Sequence, residues 1–195
     1  MKKAKVWFVL LPAVCLMVIC LVKVSAQSGT EEQSGISIRK TEEEVVLYTI
    51  HRGSYAETGQ VIGDLYALAG NKGISTQGPV CYVYLNNPTL VSHRHWLTEV
   101  RIPVSKDTLE ASGTLGEMTD IKILPAMEVA VTVKPEGQTN TRSIYERLHT
   151  WIIKQGYMPV GSHREVFLTN FTTDDYSMMK TEITIPIRKL SIRSD

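Results

Sequence analysis

Carboxylates and aromatic rings are the residues of this chain best placed to do chemistry, and two glutamates stand out. Glu99 and Glu182 occupy the same position in two near-identical segments, TEVRIPVSK at residues 98–106 and TEITIPIRK at residues 181–189. A carboxylate in an apolar cleft can balance a cationic ligand or act as general acid or base. Tyr82, Tyr84, Tyr55, Trp96 and Phe167 offer ring faces for a flat or cationic molecule, each cation–π contact contributing about 0.5–2 kcal/mol. Other chemistry is poorly provided for. His93 and His95 stand two apart, but no cysteine or third histidine lies at ligand spacing, so a solvated edge is expected and no metal. Ser54, Ser75 and Ser162 lack a glycine-elbow context, there is no phosphate loop, and no cofactor is implied.

The elements that position these groups are visible through an internal repeat. Pairing each residue with the one 83 further along gives 15 identities in the 63 positions from Glu44 to Lys106, where composition alone would give about four. Duplication is the economical explanation, with copies at about 44–106 and 127–189. Each copy opens on a β-branched run (residues 45–50; 128–133), which suggests a strand. Helical spacing follows, with Val61, Ile62, Leu65, Leu68 and Ala69 on one face in the first copy and Ile144, Leu148, Trp151 and Ile152 in the second. Gly73 and Gly156 stand where a helix C-terminal glycine belongs. Two more strands close each copy, residues 80–85 with 97–104 and 165–169 with 180–187. The expected fold is α+β: two tandem β-α-β-β units related by a pseudo-twofold, antiparallel, with helices on one face and a ligand cleft on the other.

Alternation along the strands assigns faces. Val100, Ile102 and Val104, and likewise Ile183, Ile185 and Ile187, should meet the helices, which turns Glu99, Arg101, Glu182 and Thr184 the other way. The repeated pairs Val83/Val166 and Leu85/Leu168 read as core, which would put Tyr82, Tyr84, Glu165 and Phe167 on the open face with the glutamates. Glu99 has Arg101 beside it, whereas Glu182 has only Thr184 and is the one left for a ligand. Since neither carboxylate faces the helix layer, folding should survive Glu99→Gln and Glu182→Gln.

Residues 1–26 contain no acid, carry Lys2, Lys3 and Lys5 and then run uncharged from Val6 to Val22, the layout of a signal peptide or an uncleaved membrane anchor. Both alternatives put the domain outside the cytoplasm, periplasmic or membrane-anchored. Residues 27–41, rich in Ser and Gly, read as a flexible linker, residues 42–190 as the domain and 191–195 as a tail. Beyond residue 26 the charge is 17 basic (21 − 4) against 20 acidic residues, with no basic stripe, so nucleic acid is not an expected partner. Cys81 is the sole cysteine of that part, so no internal disulfide forms and the domain stands on its core.

In order along the chain, Tyr48-Thr49-Ile50-His51-Arg52-Gly53-Ser54-Tyr55, Gly73 through Gly78-Pro79-Val80-Cys81-Tyr82-Val83-Tyr84, Glu99 with Pro103-Val104, and Glu182 through Ile187 resemble the GyrI-like effector-binding domain. The resemblance covers roughly residues 41–189. It implies a pair of strand-helix-strand-strand modules with a small-molecule cleft between them and a glutamate at its polar centre, here placed on Glu182 with Glu99 as partner. It also implies two roles to weigh, non-catalytic binding of a small, cationic or aromatic molecule and hydrolysis of cyclopropane-type toxins using Glu182; the N-terminal segment adds a third, a membrane-associated interaction module.

Overall fold

The computed structural model of the chain describes residues 35–111, 115–138, 140–168 and 179–191. The expected N-terminal signal or anchor, most of the expected linker and most of the expected tail lie outside the described residues. In chain order the elements are β1 (Ile36–Lys40), β2 (Glu44–Arg52), α1 (Thr58–Asn71), β3 (Cys81–Tyr84), β4 (Leu97–Pro103), the single turn α2 (Thr108–Ala111), β5 (Thr119–Leu124), β6 (Glu128–Lys134), α3 (Thr141–Lys154), β7 (Tyr157–Pro159), β8 (Arg164–Phe167) and β9 (Thr181–Lys189). The fold is α+β, as the sequence implied. One antiparallel sheet runs β1-β6-β9-β8-β3-β4-β2-β5, with β7 added to β9.

The two halves share their geometry to the residue. α1 and α3 both begin and end 83 positions apart, and the strand registers follow: Val46 faces Pro103 as Val129 faces Pro186. Each helix stops for the same reason. Gly73 and Gly156 take φ of 68° and 77°, which a side chain resists. After α1 the Gly73 N–H reaches the Gly70 carbonyl and the Ile74 N–H the Ala69 carbonyl, closing a Schellman cap. The buried apolar helix residues are Ile62, Leu65 and Ala69 in α1 and Ile144, Leu148, Trp151 and Ile152 in α3, set against Val100, Ile102 and Val104 or Ile183, Ile185 and Ile187.

Between residues 27 and 41 the expected linker gives way to a strand from Ile36. β1 precedes the first half yet pairs with β6 of the second, and β5 precedes the second half yet pairs with β2 of the first. The polar composition hid a period-2 pattern: Ile36 and Ile38 join the core of the second half, while Ser37 and Arg39 face the other way.

This exchange forces the sheet to curl. Only three residues, four Cα steps, separate Lys40 from Glu44, a reach of about 14 Å. Six strand intervals lie between β1 and β2, which in a flat sheet would span about 29 Å. The two connections cross and are tied together, with the Thr41 N–H donating to the Met127 carbonyl at 2.8 Å and the Met127 N–H to Thr41 Oγ1 at 3.1 Å. The face turned away from α1 and α3 is thereby enclosed: Val46, Val83, Val129 and Glu99 are all 4% exposed or less.

That enclosure overturns one expected set of faces. In antiparallel pairs facing residues point the same way, and Val83 stands opposite Glu99 and Arg164 on the enclosed side. Tyr82 and Phe167 instead lie in the core under α1, their rings edge to face at 4.7 Å. Leu85 and Leu168 are not core but 38% and 45% exposed. With both faces of the central strands buried, apolar character at Val83 did not tell which side the helices were on.

Candidate ligand-binding site

The halves meet where β3 lies against β8, and the middle of the three facing pairs on that seam is Tyr82 opposite Glu165. These two are 83 positions apart (165 − 82), so the same place in each half holds a tyrosine once and a carboxylate once. Two carboxylates there would repel across a few ångströms. Glu165 points to the helix side with Ile183 opposite it on β9. Both of its oxygens accept phenol hydrogen bonds, from Tyr84 at 3.0 Å and from Tyr145 of α3 at 2.5 Å.

Aromatic rings frame this carboxylate. Tyr55, at the start of the 3-10 turn before α1, meets Tyr84 edge-on at 5.1 Å and stacks on Trp96 at 4.3 Å. Trp96 is held in turn, its Nε1 donating to the Pro88 and Val91 carbonyls. On the other side Tyr145 lies 5.0 Å from the His163 ring. Burial, then the charge of Glu165, pushes the Tyr84 and Tyr145 phenols well above the usual tyrosine value, so both remain donors. Tyr55 is raised by the same two causes.

His149 and His163 close the second half's wall, Nε2 against Nε2 at 2.6 Å, one ring donating and the other accepting. Burial holds both below the ordinary 6.5, and for His163 the charge of His149 adds to it. An unfolded chain takes up these protons as pH falls through about 6.5, whereas the folded pair resists them. The melting temperature is therefore expected to be flat above neutrality and to decline from about pH 6.5 downward. A His149→Gln/His163→Gln double variant measured over the same range should lose that slope.

Of the residues singled out in the sequence, Tyr84, Tyr55 and Trp96 come together here, while Tyr82 and Phe167 form the floor beneath them. Glu99 and Glu182 lie on the enclosed face instead. Glu99 contacts Arg101 Nε and lies 2.6 Å from Lys122 Nζ. Burial works to raise its carboxyl, but Lys122 and Arg101 outweigh it and hold the group below 4.5. Glu182, expected to be free for a ligand, receives two hydrogen bonds from Arg39 of β1, at 3.1 and 2.5 Å. That partner came from the segment read as a linker. Glu165, Tyr145, His149 and His163 were not among the sequence candidates, although Tyr145 and His149 stand one helical turn apart beside the Ile144/Leu148 stripe.

Two β-α-β-β halves are thus set side by side, with an acid and aromatic rings at their junction. The chain belongs to the GyrI-like family: the GyrI-like small molecule binding domain matches residues 36–188. No curated protein is similar enough in sequence to match it. Among solved structures it is similar to the EcmrR C-terminal domain, with a TM-score of 0.65 at 16% identity, over 80% of this chain and 98% of that one. EcmrR in a complex with DNA gives the same score and identity, with 57% of its chain covered. A hydrolase encoded by lin2189 from Listeria innocua is similar with a TM-score of 0.61 at 14% identity, over 80% of this chain and 92% of that one.

Proposed function

We propose that the aromatic cluster around Glu165, on the helix side of the junction, binds a small lipophilic cation or aromatic molecule without transforming it. The observation that carries this reading is Glu165, a carboxylate aimed by two phenols and framed by Tyr55, Tyr84, Trp96 and Tyr145. A cation entering there gains a charge-assisted contact and ring faces together. General acid–base chemistry is less well served, because the carboxylate's two oxygens are already occupied by donors and Glu182 is engaged by Arg39 on the other side of the sheet.

Titration of the full chain with ethidium, a planar aromatic cation, followed by fluorescence, tests this reading. Saturable binding is expected, with a neutral aromatic of similar size bound at least about tenfold more weakly. Equal binding of the two, or none, overturns it. Consumption of a cyclopropane-bearing electrophile, seen by mass spectrometry and lost in Glu165→Gln, would make the cluster a hydrolase site instead.

A further inference from the structure

We infer that the enclosed face of the sheet is a second binding site, one that takes a small organic monocarboxylate. This inference is independent of the reading given to the helix side. Between the crossed connections and the central strands lies a cavity of about 680 Å³, a volume usual for small-molecule sites. Val46, Leu124, Val166 and Leu168 contribute apolar wall, and Arg101 and Arg164 bring guanidinium groups to it.

Those two arginines are poorly partnered. Arg101 is 8% exposed and uses Nε on Glu99, while its Nη1 is buried without a hydrogen-bond partner among the described residues. Arg164 donates from Nη2 to the Met127 sulfur at 3.1 Å, a weak acceptor, and its Nε is buried with no partner among the described residues. Burial and then the charge of Arg101 lower the Arg164 guanidinium from its usual value, the mark of two cations crowded out of water.

Nearby carboxylates do not satisfy them. Glu99 is shared with Lys122, Glu182 is taken by Arg39, and Glu43 lies 3.4 Å from Lys106. Glu44 lines the same cavity and, among the described residues, forms no ion pair. Its carboxyl is raised by burial against the pull of Arg101 and Arg164. Cys81, opposite Arg101 on the neighbouring strand, brings no competing anion, because burial pushes its thiol up to about 12.

Among the described residues the cavity is lined by Arg39, Lys40, Arg101, Lys106 and Arg164 against Glu42, Glu43, Glu44 and Glu182, one positive charge in excess. A single carboxylate balances that excess, and its two oxygens match the paired N–H groups of a guanidinium. A phosphate monoester would overshoot the charge. An aliphatic or aromatic tail fits the apolar wall.

Calorimetric titration of the full chain with octanoate tests the inference, with octanol and inorganic phosphate as comparisons at matched ionic strength. Octanoate is expected to bind saturably and at least about tenfold more tightly than either. Arg164→Gln should weaken octanoate about tenfold, and Glu44→Gln, which removes the competing carboxylate, should strengthen it. Octanoate bound no better than octanol, or unaffected by Arg164→Gln, overturns the inference. Should Arg164→Gln fail to fold, unchanged or weaker binding by Glu44→Gln overturns it equally. Glu165→Gln should leave octanoate affinity unaltered; a fall would assign octanoate to the helix side and also overturn the second site.

Discussion

Replacing Glu99 by alanine is expected to lower the stability of the fold by about 3–5 kcal/mol, the usual effect of removing one partner from a buried ion pair. Glu99 is 4% exposed and Arg101 8%, so the arginine left behind cannot turn to water, and Lys122 loses its partner at 2.6 Å as well. The expectation from sequence that folding would tolerate Glu99→Gln assumed an open face; the curl of the sheet closes it. A Glu99→Leu/Arg101→Met double variant should be damaged less than Glu99→Ala, because no deep charge is stranded. Urea unfolding midpoints of the three proteins compare these costs, and a Glu99→Ala midpoint equal to the parent's would show that the pair contributes nothing. Acid supplies a second check. Because the folded carboxyl lies below 4.5, its contribution is full above that value and is lost as pH falls through the folded one. The parent's stability should drop there more steeply than that of the alanine variant.

Glu165→Gln is expected to weaken an aromatic cation by about 1.5–3 kcal/mol, roughly 10- to 150-fold, the range for a hydrogen bond to a charged group. Glutamine keeps the shape and one acceptor oxygen, and its amide can donate to a phenol oxygen, so the melting temperature should change little. Neutral aromatic ligands should be almost indifferent to the change. Tyr84→Phe and Tyr145→Phe then separate two roles of the phenols: if they mainly aim the carboxylate, both variants lose affinity while ring stacking is intact. Ethidium titrations of these variants decide it, and an undiminished affinity in Glu165→Gln would remove the carboxylate from the site.

Much of the fold was legible because each half states its elements plainly. The aliphatic trios of β4 and β9, the stripes of α1 and α3 and the glycines behind them have one physical reading. The exchanged strands were not legible, because Ile36 and Ile38 sit in a stretch whose glycine, serine and charge imitate a linker, and β5 is almost as short. Site residues were partly legible: Tyr84, Tyr82, Glu165 and Phe167 were grouped on one face, and they are. The side they occupy was misread, because Val83 is as buried as Tyr82 in a sheet closed on both faces. Glu99 and Glu182 drew attention by recurring, yet recurrence marks what both halves need, which is charge inside the curl. Glu165 and Tyr82, which differ between the halves, face each other at the middle of the junction.

The exchange of β1 and β5 also bears on how a ligand could be received. β3 and β8 touch through three facing pairs, a short seam that two unlinked halves could open like a hinge. The crossed connections bar that motion, since each half carries a strand sewn into the other's edge and separation would strip both. Entry to the proposed helix-side site would thus be left to side chains such as Tyr55 and Trp96 and to neighbouring loops, not to movement of the halves. A fold clasped in this way is shaped before any guest arrives, so little of the binding free energy would be spent on closing a cleft. Its selectivity then rests on fit to a fixed frame.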